Sequence, residues 1–404
     1  MLFAEDVGEH RSCGSHWPSG EIATNEGFTC DRTRTNYSRM RLGHVPVLDA
    51  VRGIAVLVVL VAHTNHVLPS GVLGVDLFFV LSGFLITSLL LTEWDETGAI
   101  SLRAFYRRRA LRLLPALVVM LAILTAVLAA TGGLDQFVWV LLSFGYVVNV
   151  AAIFEGEIAA PSLKHMWSLS QEEQFYLLWP LALFLAIRAR ARPQNLALLL
   201  GAIAVVVVAW RAFLAVAQAS PGYLLYAPET RSVGLIVGCL GGVLFGYGLV
   251  RRVPLWLASA MLVPAGAAVA LLSNESRWDA VVLLPVFCIA AVVVLLACVL
   301  HPGWWFARAI DRSWLRGLGK ISYALYLWHW PLYFAFGWML GLPLAVVVAC
   351  LSYRFVEQPF LQRRYLRGDQ TATAPRRKST ISPVVAPGPK TSATPAALSS
   401  SASS

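Results

Sequence analysis

Long apolar stretches alternate with short polar connections along most of this chain. Ten of them approach the roughly 20 residues that cross a bilayer core as a helix. An eleventh, 137–154, is weaker because Ser143, Gly145, Tyr146 and Asn149 interrupt it. The pattern predicts an all-α polytopic membrane protein, with spans near 48–67, 72–92, 113–131, 172–190, 195–219, 232–250, 254–272, 279–300, 320–340 and 341–358.

The basic residues favour ten crossings, with both termini in the cytoplasm, because cytoplasmic loops are enriched in Lys and Arg. If both 113–131 and 137–154 crossed, the downstream basic groups would lie outside. If 137–154 does not cross, all of them are cytoplasmic. We therefore expect 137–171 to be a re-entrant element, with its backbone satisfied by protein or a water-filled cavity. The groups concerned are Arg188–Arg192, Arg251–Arg252 and Arg308–Lys320.

The composition excludes several classes of protein. Of 404 residues, 58% are hydrophobic and 13% charged, unlike a soluble domain. The net charge of +10 does not indicate nucleic-acid binding, because the arginines sit in short clusters between apolar stretches. Six cysteines without a CxxC pair indicate neither a disulfide framework nor a zinc site, and we expect no bound metal.

The ends of the chain differ from its middle. Residues 1–45 form a polar extension, expected to be disordered, without the apolar core of a cleaved signal peptide. Translation from Met40 would still give the membrane domain, predicted at 46–365, so we expect residues 1–39 to be dispensable. Residues 366–404 are rich in Ala, Ser, Thr and Pro and predict a disordered cytoplasmic tail.

Ionisable side chains inside apolar stretches are the first candidates for a functional site, because charge is costly at membrane depth. Arg52 and His63 are eleven residues apart, which places them about 20° apart on one helical face and about 16 Å apart along the axis. The alternative is structural: Asp49 pairs with Arg52 at i+3, and His63 and His66 cap the outer end. The spacing alone does not decide between the functional and the structural interpretation.

Other polar residues also have two interpretations. Ser82–Gly83 is typical of close helix packing, whereas Asp76 needs a partner at membrane depth. Arg109 and Arg112 share a helical face and could hold phosphate oxygens, although an ordinary cytoplasmic arginine cluster is the alternative. The adjacent glutamates 172 and 173 point about 100° apart at the predicted mouth of a span, so at most one need face inward while the other caps the helix.

Six motifs, in the same order, resemble those of the acyltransferase 3 family of integral-membrane acyltransferases. Together they cover about 310 of the 404 residues. They are Arg52 followed after ten residues by His63, VDLFFVLSGFLI at 75–86, the arginine-rich turn at 107–115, WSLSQEEQFYLLWP at 167–180, ISYALYLWHWP at 321–331 and SYRFVEQP at 352–359.

The resemblance implies a multi-pass enzyme of the bacterial cytoplasmic membrane, with its helices around a central cavity. It would transfer an acyl group, commonly acetyl, to a hydroxyl of a saccharide-containing acceptor, such as a cell-surface glycan or a glycosylated natural product. The implied donor is acyl-CoA, bound as a substrate, and no cofactor would be held permanently.

The resemblance also implies roles for individual residues. His63 matches the essential histidine and would be the general base, a role that suits a neutral imidazole. Arg52 would steady the donor or the oxyanion, and Glu173 would orient His63 or the acceptor. The implied donor-phosphate residues are Arg108, Arg109 and Arg112, and the implied substrate-cavity residues are Asp76, Ser82, Glu172, Tyr176, Arg231, Tyr326 and His329.

Three features of the sequence, two residues and one spacing, depart from the family pattern. Gln171 stands where a small apolar residue is usual, and Val233 stands where a carboxylate often faces the cavity. Only 20 residues separate Pro331 from Ser352. The last two spans are therefore expected to be short and joined by a tight turn at 341–343, or else the final segment does not cross.

Two other classes of function remain as alternatives. A transporter would also contain Arg, His and Glu inside its spans, but the chain lacks the internal repetition with paired broken helices that is typical of transporters. A catalytically inactive relative would bind a glycan or acyl-CoA without turnover. The presence of His63 argues against it, because a binding module does not need a base.

Overall fold

The computed structural model describes residues 40–361, apart from 44, 65–67, 69–70 and 273–276. Residues 1–39 of the predicted extension and the whole predicted tail, 366–404, lie outside this range. The Met40 backbone N–H donates to the Gly246 carbonyl at 3.3 Å, and the Leu42 side chain is buried. The described start of the chain therefore packs against the helical domain.

All regular elements that the described residues form are helical, which confirms the predicted all-α class. The helices are α1 (Pro46–Ala62), α2 (Val72–Thr97), α3 (Leu102–Thr131), α4 (Phe137–Phe144), α5 (Val148–Glu155), α6 (Met166–Arg188), α7 (Pro193–Val216), α8 (Pro221–Tyr226), α9 (Pro228–Arg231), α10 (Val233–Gly246), α11 (Leu255–Leu271), α12 (Arg277–Leu300), α13 (Trp305–Ile310) and α14 (Ser313–Ser352), with short turns of 3-10 helix at Leu134–Gln136 and Pro161–Leu163 and of π-helix at Tyr353–Glu357.

Five helices in the described part of the chain are long and apolar enough to cross a membrane. They are Val72–Thr97, Leu102–Thr131, Pro193–Val216, Val281–Leu300 and the long segment Ser313–Leu361. Shorter apolar helices occur at Leu134–Phe144, Val233–Gly246 and Leu255–Leu271, and α1 has 17 residues. The count of ten crossings therefore stays a prediction.

Helix α14 contains a reversal and so supplies two antiparallel arms. Gly337 has φ +70° and ψ −179°, a conformation that is costly for residues with a Cβ. The backbone of Gly341 lies against the carbonyl of Leu332, a contact that an uninterrupted helix does not allow. The predicted tight turn is therefore present but was misplaced: it lies at Gly337, whereas 341–343 already belong to the returning arm.

The segment predicted as a re-entrant element is broken into short pieces. Two eight-residue helices, α4 and α5, precede a 3-10 turn and the start of α6 at Met166. Whether they enter the membrane stays a prediction. Because α6 begins six residues before Glu172, neither adjacent glutamate caps a helix start. Both project from the body of α6.

Small residues allow the central helices to approach closely. A Cβ built on Gly83 of α2 would meet the carbonyl of Leu235, and one on Gly238 of α10 would meet the carbonyl of Val80. The predicted packing role therefore holds for Gly83. The same kind of contact joins α1 to α14, where a Cβ on Gly319 would meet the carbonyl of Asp49. These contacts fix α1, which carries Arg52 and His63, against the rest of the bundle.

A buried ion pair joins α2 to α9. Arg231 Nη2 donates to both carboxylate oxygens of Asp76 at 2.9 and 3.0 Å, and the two side chains are 1% and 0% exposed. Both residues are expected in the substrate cavity, but neither is among the residues that line the arginine cavity described below, and their charges pair inside the packed bundle. Val233, in the position of the missing carboxylate, packs in the apolar core, and Asp76 supplies a carboxylate for Arg231.

Substituting Gly319 by Ala is expected to destabilise the protein by about 2 kcal/mol, because the new methyl group overlaps the backbone of α1. Gly317, on the same helix, has open space at its Cβ position. Gly317→Ala should therefore leave the melting temperature in detergent unchanged or slightly raised. Equal melting temperatures for the two variants would contradict the close contact.

Replacing Asp76 alone by Leu should cost about 3–5 kcal/mol, because Arg231 then remains buried without a partner. The double variant Asp76→Leu, Arg231→Met removes both charges and should recover most of that loss. Thermal unfolding of the wild type and both variants in the same detergent measures the difference. A double variant no more stable than the single one would show that the pair is not the source of the cost.

Candidate active site

A cavity lies between helices α1, α2, α3, α6 and α14. It encloses about 710 Å³, counting the part that is open to its surroundings. Three arginines and two glutamates share its wall with aromatic and hydroxyl side chains. The residues that line it are Arg52, Val75, Phe78, Phe79, Ser82, Arg109, Arg112, Leu113, Ser168, Leu169, Glu172, Glu173, Tyr176, Ser322, Tyr323 and Tyr326.

Arg109 of α3 is held by α6. Its Nε and Nη2 donate to Glu173 Oε1 at 3.2 and 2.9 Å, and its guanidinium lies against the ring of Tyr176. Glu173, expected to orient His63 or the acceptor, is thus the counter-ion of Arg109. The pair neutralises this part of the cavity wall and fixes the guanidinium plane.

The other two cavity arginines differ in their partners. Arg52 Nη1 donates to Asp49 Oδ1 at 3.2 Å, one helical turn earlier, so the structural ion pair is present. Arg52 nevertheless also lines the cavity. Within the described residues, Arg112 lines the cavity without a hydrogen bond or salt bridge to another side chain. Its guanidinium is the cation best placed to receive an anionic ligand.

Glu172 is held by neutral groups. It accepts hydrogen bonds from the hydroxyls of Ser82 and Tyr176, and all three residues line the cavity. Ser82 therefore contributes to the cavity, whereas its neighbour Gly83 packs against α10. Ser168 lies four residues before Glu172, on the same face of α6, and also lines the cavity.

His63 ends α1. Its Nδ1 donates to the carbonyl of Val59 at 2.6 Å, and since a carbonyl can only accept, this nitrogen carries the proton. The neutral ring then presents Nε2 as an acceptor. Three rings of α14 surround the imidazole, with centroid distances of 5.4 Å to His329, 4.9 Å to Trp330 and 5.3 Å to Tyr333.

His63 does not line the arginine cavity, but ring contacts through Tyr326 and His329 connect the two. The Tyr326 ring lines the cavity and is 5.1 Å from the buried ring of His329, which is 5.4 Å from His63. His165 adds a third imidazole, 5.5 Å from His329. The hydroxyls of Tyr326 and Ser168 are hydrogen-bonded to each other at the cavity wall.

The structure places the predicted site residues in several environments. Ser82, Glu172, Tyr176 and Tyr326 line the cavity with the three arginines, as described above. Arg108 does not: its Nη2 is 3.2 Å from Glu93, outside the cavity wall. His329, expected in the cavity, is instead a buried neighbour of His63.

The contact of Tyr333 with His63 was not predicted. A signal was present, because Tyr333 follows His329 by four residues and therefore lies on the same helical face. Among the described residues, no group of three or more His, Cys, Asp or Glu side chains is arranged to hold a metal ion. The arginines can instead bind an anionic substrate.

Comparison with known proteins reveals similarity to proteins named O-acetyltransferases. A protein of Staphylococcus aureus (strain COL), provisionally named an O-acetyltransferase, is 30% identical over 362 residues, which cover 81% of this chain and 58% of that protein. The peptidoglycan O-acetyltransferase OatA of Listeria monocytogenes is also 30% identical, with 82% and 58% covered. The O-acetyltransferase OatA of Staphylococcus aureus (strain MRSA252) is 27% identical, with 83% and 60% covered.

The chain thus matches less than two thirds of the length of these relatives. No solved structure matches it. The model of a family described as an acyltransferase domain matches residues 45–353, which include the arginine cavity and His63. The chain therefore belongs to the acyltransferase 3 family of integral-membrane acyltransferases.

Proposed function

We propose that this protein transfers an acetyl group from acetyl-CoA to a hydroxyl of a saccharide, with a cell-wall glycan as the acceptor class. The observation that carries the proposal is the hydrogen bond from His63 Nδ1 to Val59, which leaves Nε2 free to accept a proton. Membership of the family supports the reaction type. The name of the Listeria relative, a peptidoglycan O-acetyltransferase, supports the acceptor class.

The chemistry requires one base and one route for one proton. His63 Nε2 accepts the proton of the acceptor hydroxyl while the hydroxyl oxygen attacks the thioester carbonyl. The C–S bond then breaks, the acyl group stays on the acceptor oxygen as an ester, and the thiolate leaves. The proton held by His63 passes to that thiolate, so ester and free thiol form and the base is regenerated.

The arginine cavity suits the anionic part of the donor. Arg112 has no salt-bridge partner among the described residues, and Arg52 lines the same wall. Guanidinium groups match phosphate oxygens in geometry and hold charge regardless of pH. The donor's phosphates would bind here, on the opposite side of the Tyr326 and His329 rings from the reacting hydroxyl.

Substituting His63 by Ala should lower acetyl transfer by about 100-fold to 10,000-fold, because the base is lost. The assay supplies labelled acetyl-CoA and peptidoglycan fragments to purified protein, and measures free CoA together with acceptor mass. His301→Ala is the matched control, because His301 accepts a backbone hydrogen bond from Val253 outside the site. This control should transfer acetyl at the wild-type rate.

Two results would contradict the proposal. Wild-type protein that acetylates no saccharide, while a relative with demonstrated O-acetyltransferase activity does so in the same assay, would exclude this reaction. Equal transfer by wild type and His63→Ala would exclude the base. Repeating the assay with acyl groups on other carriers identifies a donor other than acyl-CoA.

Substituting Arg112 by Gln should raise KM for acetyl-CoA about tenfold, because a charge-assisted hydrogen bond to phosphate is lost. KM for the saccharide should change little, since the proposed base His63 does not line the arginine cavity. The exposed Arg308 lies outside the cavity and provides the control substitution Arg308→Gln. An equal rise in both KM values for Arg112→Gln would indicate a general structural defect rather than a donor site.

A further inference from the structure

A layer of rings in mutual contact connects the arginine cavity to His63. Phe78 and Tyr326 line the cavity, with their centroids 6.2 Å apart, and His165 and His329 lie 5.8 and 5.1 Å from Tyr326. The ring of His63 lies 5.4 Å from that of His329. Of these rings, Tyr326 both lines the cavity and contacts the two histidines.

Tyr326 is held in this layer by hydrogen bonds as well as by packing. Its hydroxyl is hydrogen-bonded to that of Ser168, and the backbone carbonyl of His165 lies 3.3 Å from Tyr326 Oη and 3.1 Å from Ser168 Oγ. One hydroxyl donates to the other, which in turn donates to this carbonyl. These bonds join α14 to the start of α6 and fix the position of the Tyr326 ring.

The proposed reaction requires that this path open. The acceptor oxygen must be in contact with His63, and the thioester carbon must come within about 3.5 Å of that oxygen. A donor whose phosphates are at Arg112 reaches His63 along these ring contacts when its acyl end passes the Tyr326 ring. The space that this ring leaves when it moves then limits the size of the acyl group.

We propose that Tyr326 is the residue that selects for a short acyl group, by closing the path between the arginine cavity and His63. This inference rests on the proposed function and adds a determinant of donor specificity to it. An acetyl group needs only a small displacement of the phenol ring. A butyryl group carries two further methylenes, which must fit in the space that the ring occupies.

Tyr323 provides a matched control on the same helix. It lies one turn before Tyr326 and lines the same cavity, but its hydroxyl donates to the Leu113 carbonyl at 2.9 Å, beside Arg112. Its ring is at the arginine end of the cavity and is not part of the layer in front of His63. Substituting it enlarges the cavity without opening the proposed path.

The experiment compares acetyl-CoA with butyryl-CoA for wild type, Tyr326→Ala, Tyr326→Leu and Tyr323→Ala, with saccharide acceptor and product mass as the readout. The ratio of kcat/KM for butyryl to that for acetyl should rise about tenfold in Tyr326→Ala, since differences of one or two methylenes give discrimination of this size. Tyr326→Leu keeps more volume and should give a smaller rise. Tyr323→Ala should keep the wild-type ratio.

The outcomes separate this inference from the function on which it rests. If wild type transfers acetyl and the ratio in both Tyr326 variants stays within twofold of wild type, Tyr326 does not select the acyl group. If Tyr323→Ala changes the ratio as much as Tyr326→Ala, cavity volume in general is responsible, which also overturns the proposal. If wild type transfers no acyl group, the proposed function itself is wrong. Melting temperatures identify a variant that has not folded. If Tyr326→Ala does not fold, the butyryl-to-acetyl ratio of Tyr326→Leu tests the proposal.

Discussion

Ionisable side chains among apolar helices must find their partners within the protein, because lipid does not solvate them. The described structure meets this constraint with a small number of pairs. Asp76 and Arg231 neutralise each other out of contact with the cavity, and Glu173 neutralises Arg109 at its wall. The pairs leave Arg112 as a cavity cation without a salt bridge among the described residues.

Close contact between helices also determines where the site residues lie. Gly319 allows the backbones of α1 and α14 to touch, and this contact places His63, at the end of α1, against the aromatic residues of α14. The reversal at Gly337 lets the second arm of α14 return along the first. The site therefore depends on backbone approach as much as on its polar side chains.

Much of the architecture could be predicted from the sequence, because the apolar period and the composition depend on local order along the chain. The predicted starts of the stretches at 72, 195 and 232 agree with α2, α7 and α10 to within two residues. The prediction failed where side chains interrupt a helix. The helix α1 ends at Ala62, whereas the predicted span continues to 67. Just after Ala62, the side chains of His63 and Thr64 form hydrogen bonds to preceding backbone carbonyls.

By itself, the sequence determined the helical class, the family and the residue types available for chemistry, since these follow from periodicity and from motifs in order. Only the tertiary structure decided which charges pair. Arg231 meets Asp76 across 155 positions, and Arg109 meets Glu173 across 64. It also brought His63 into ring contact with His329, and His329 with Tyr326 of the cavity wall. Helical spacing fixes the face on which a residue lies, but the partner across that face depends on how the helices pack.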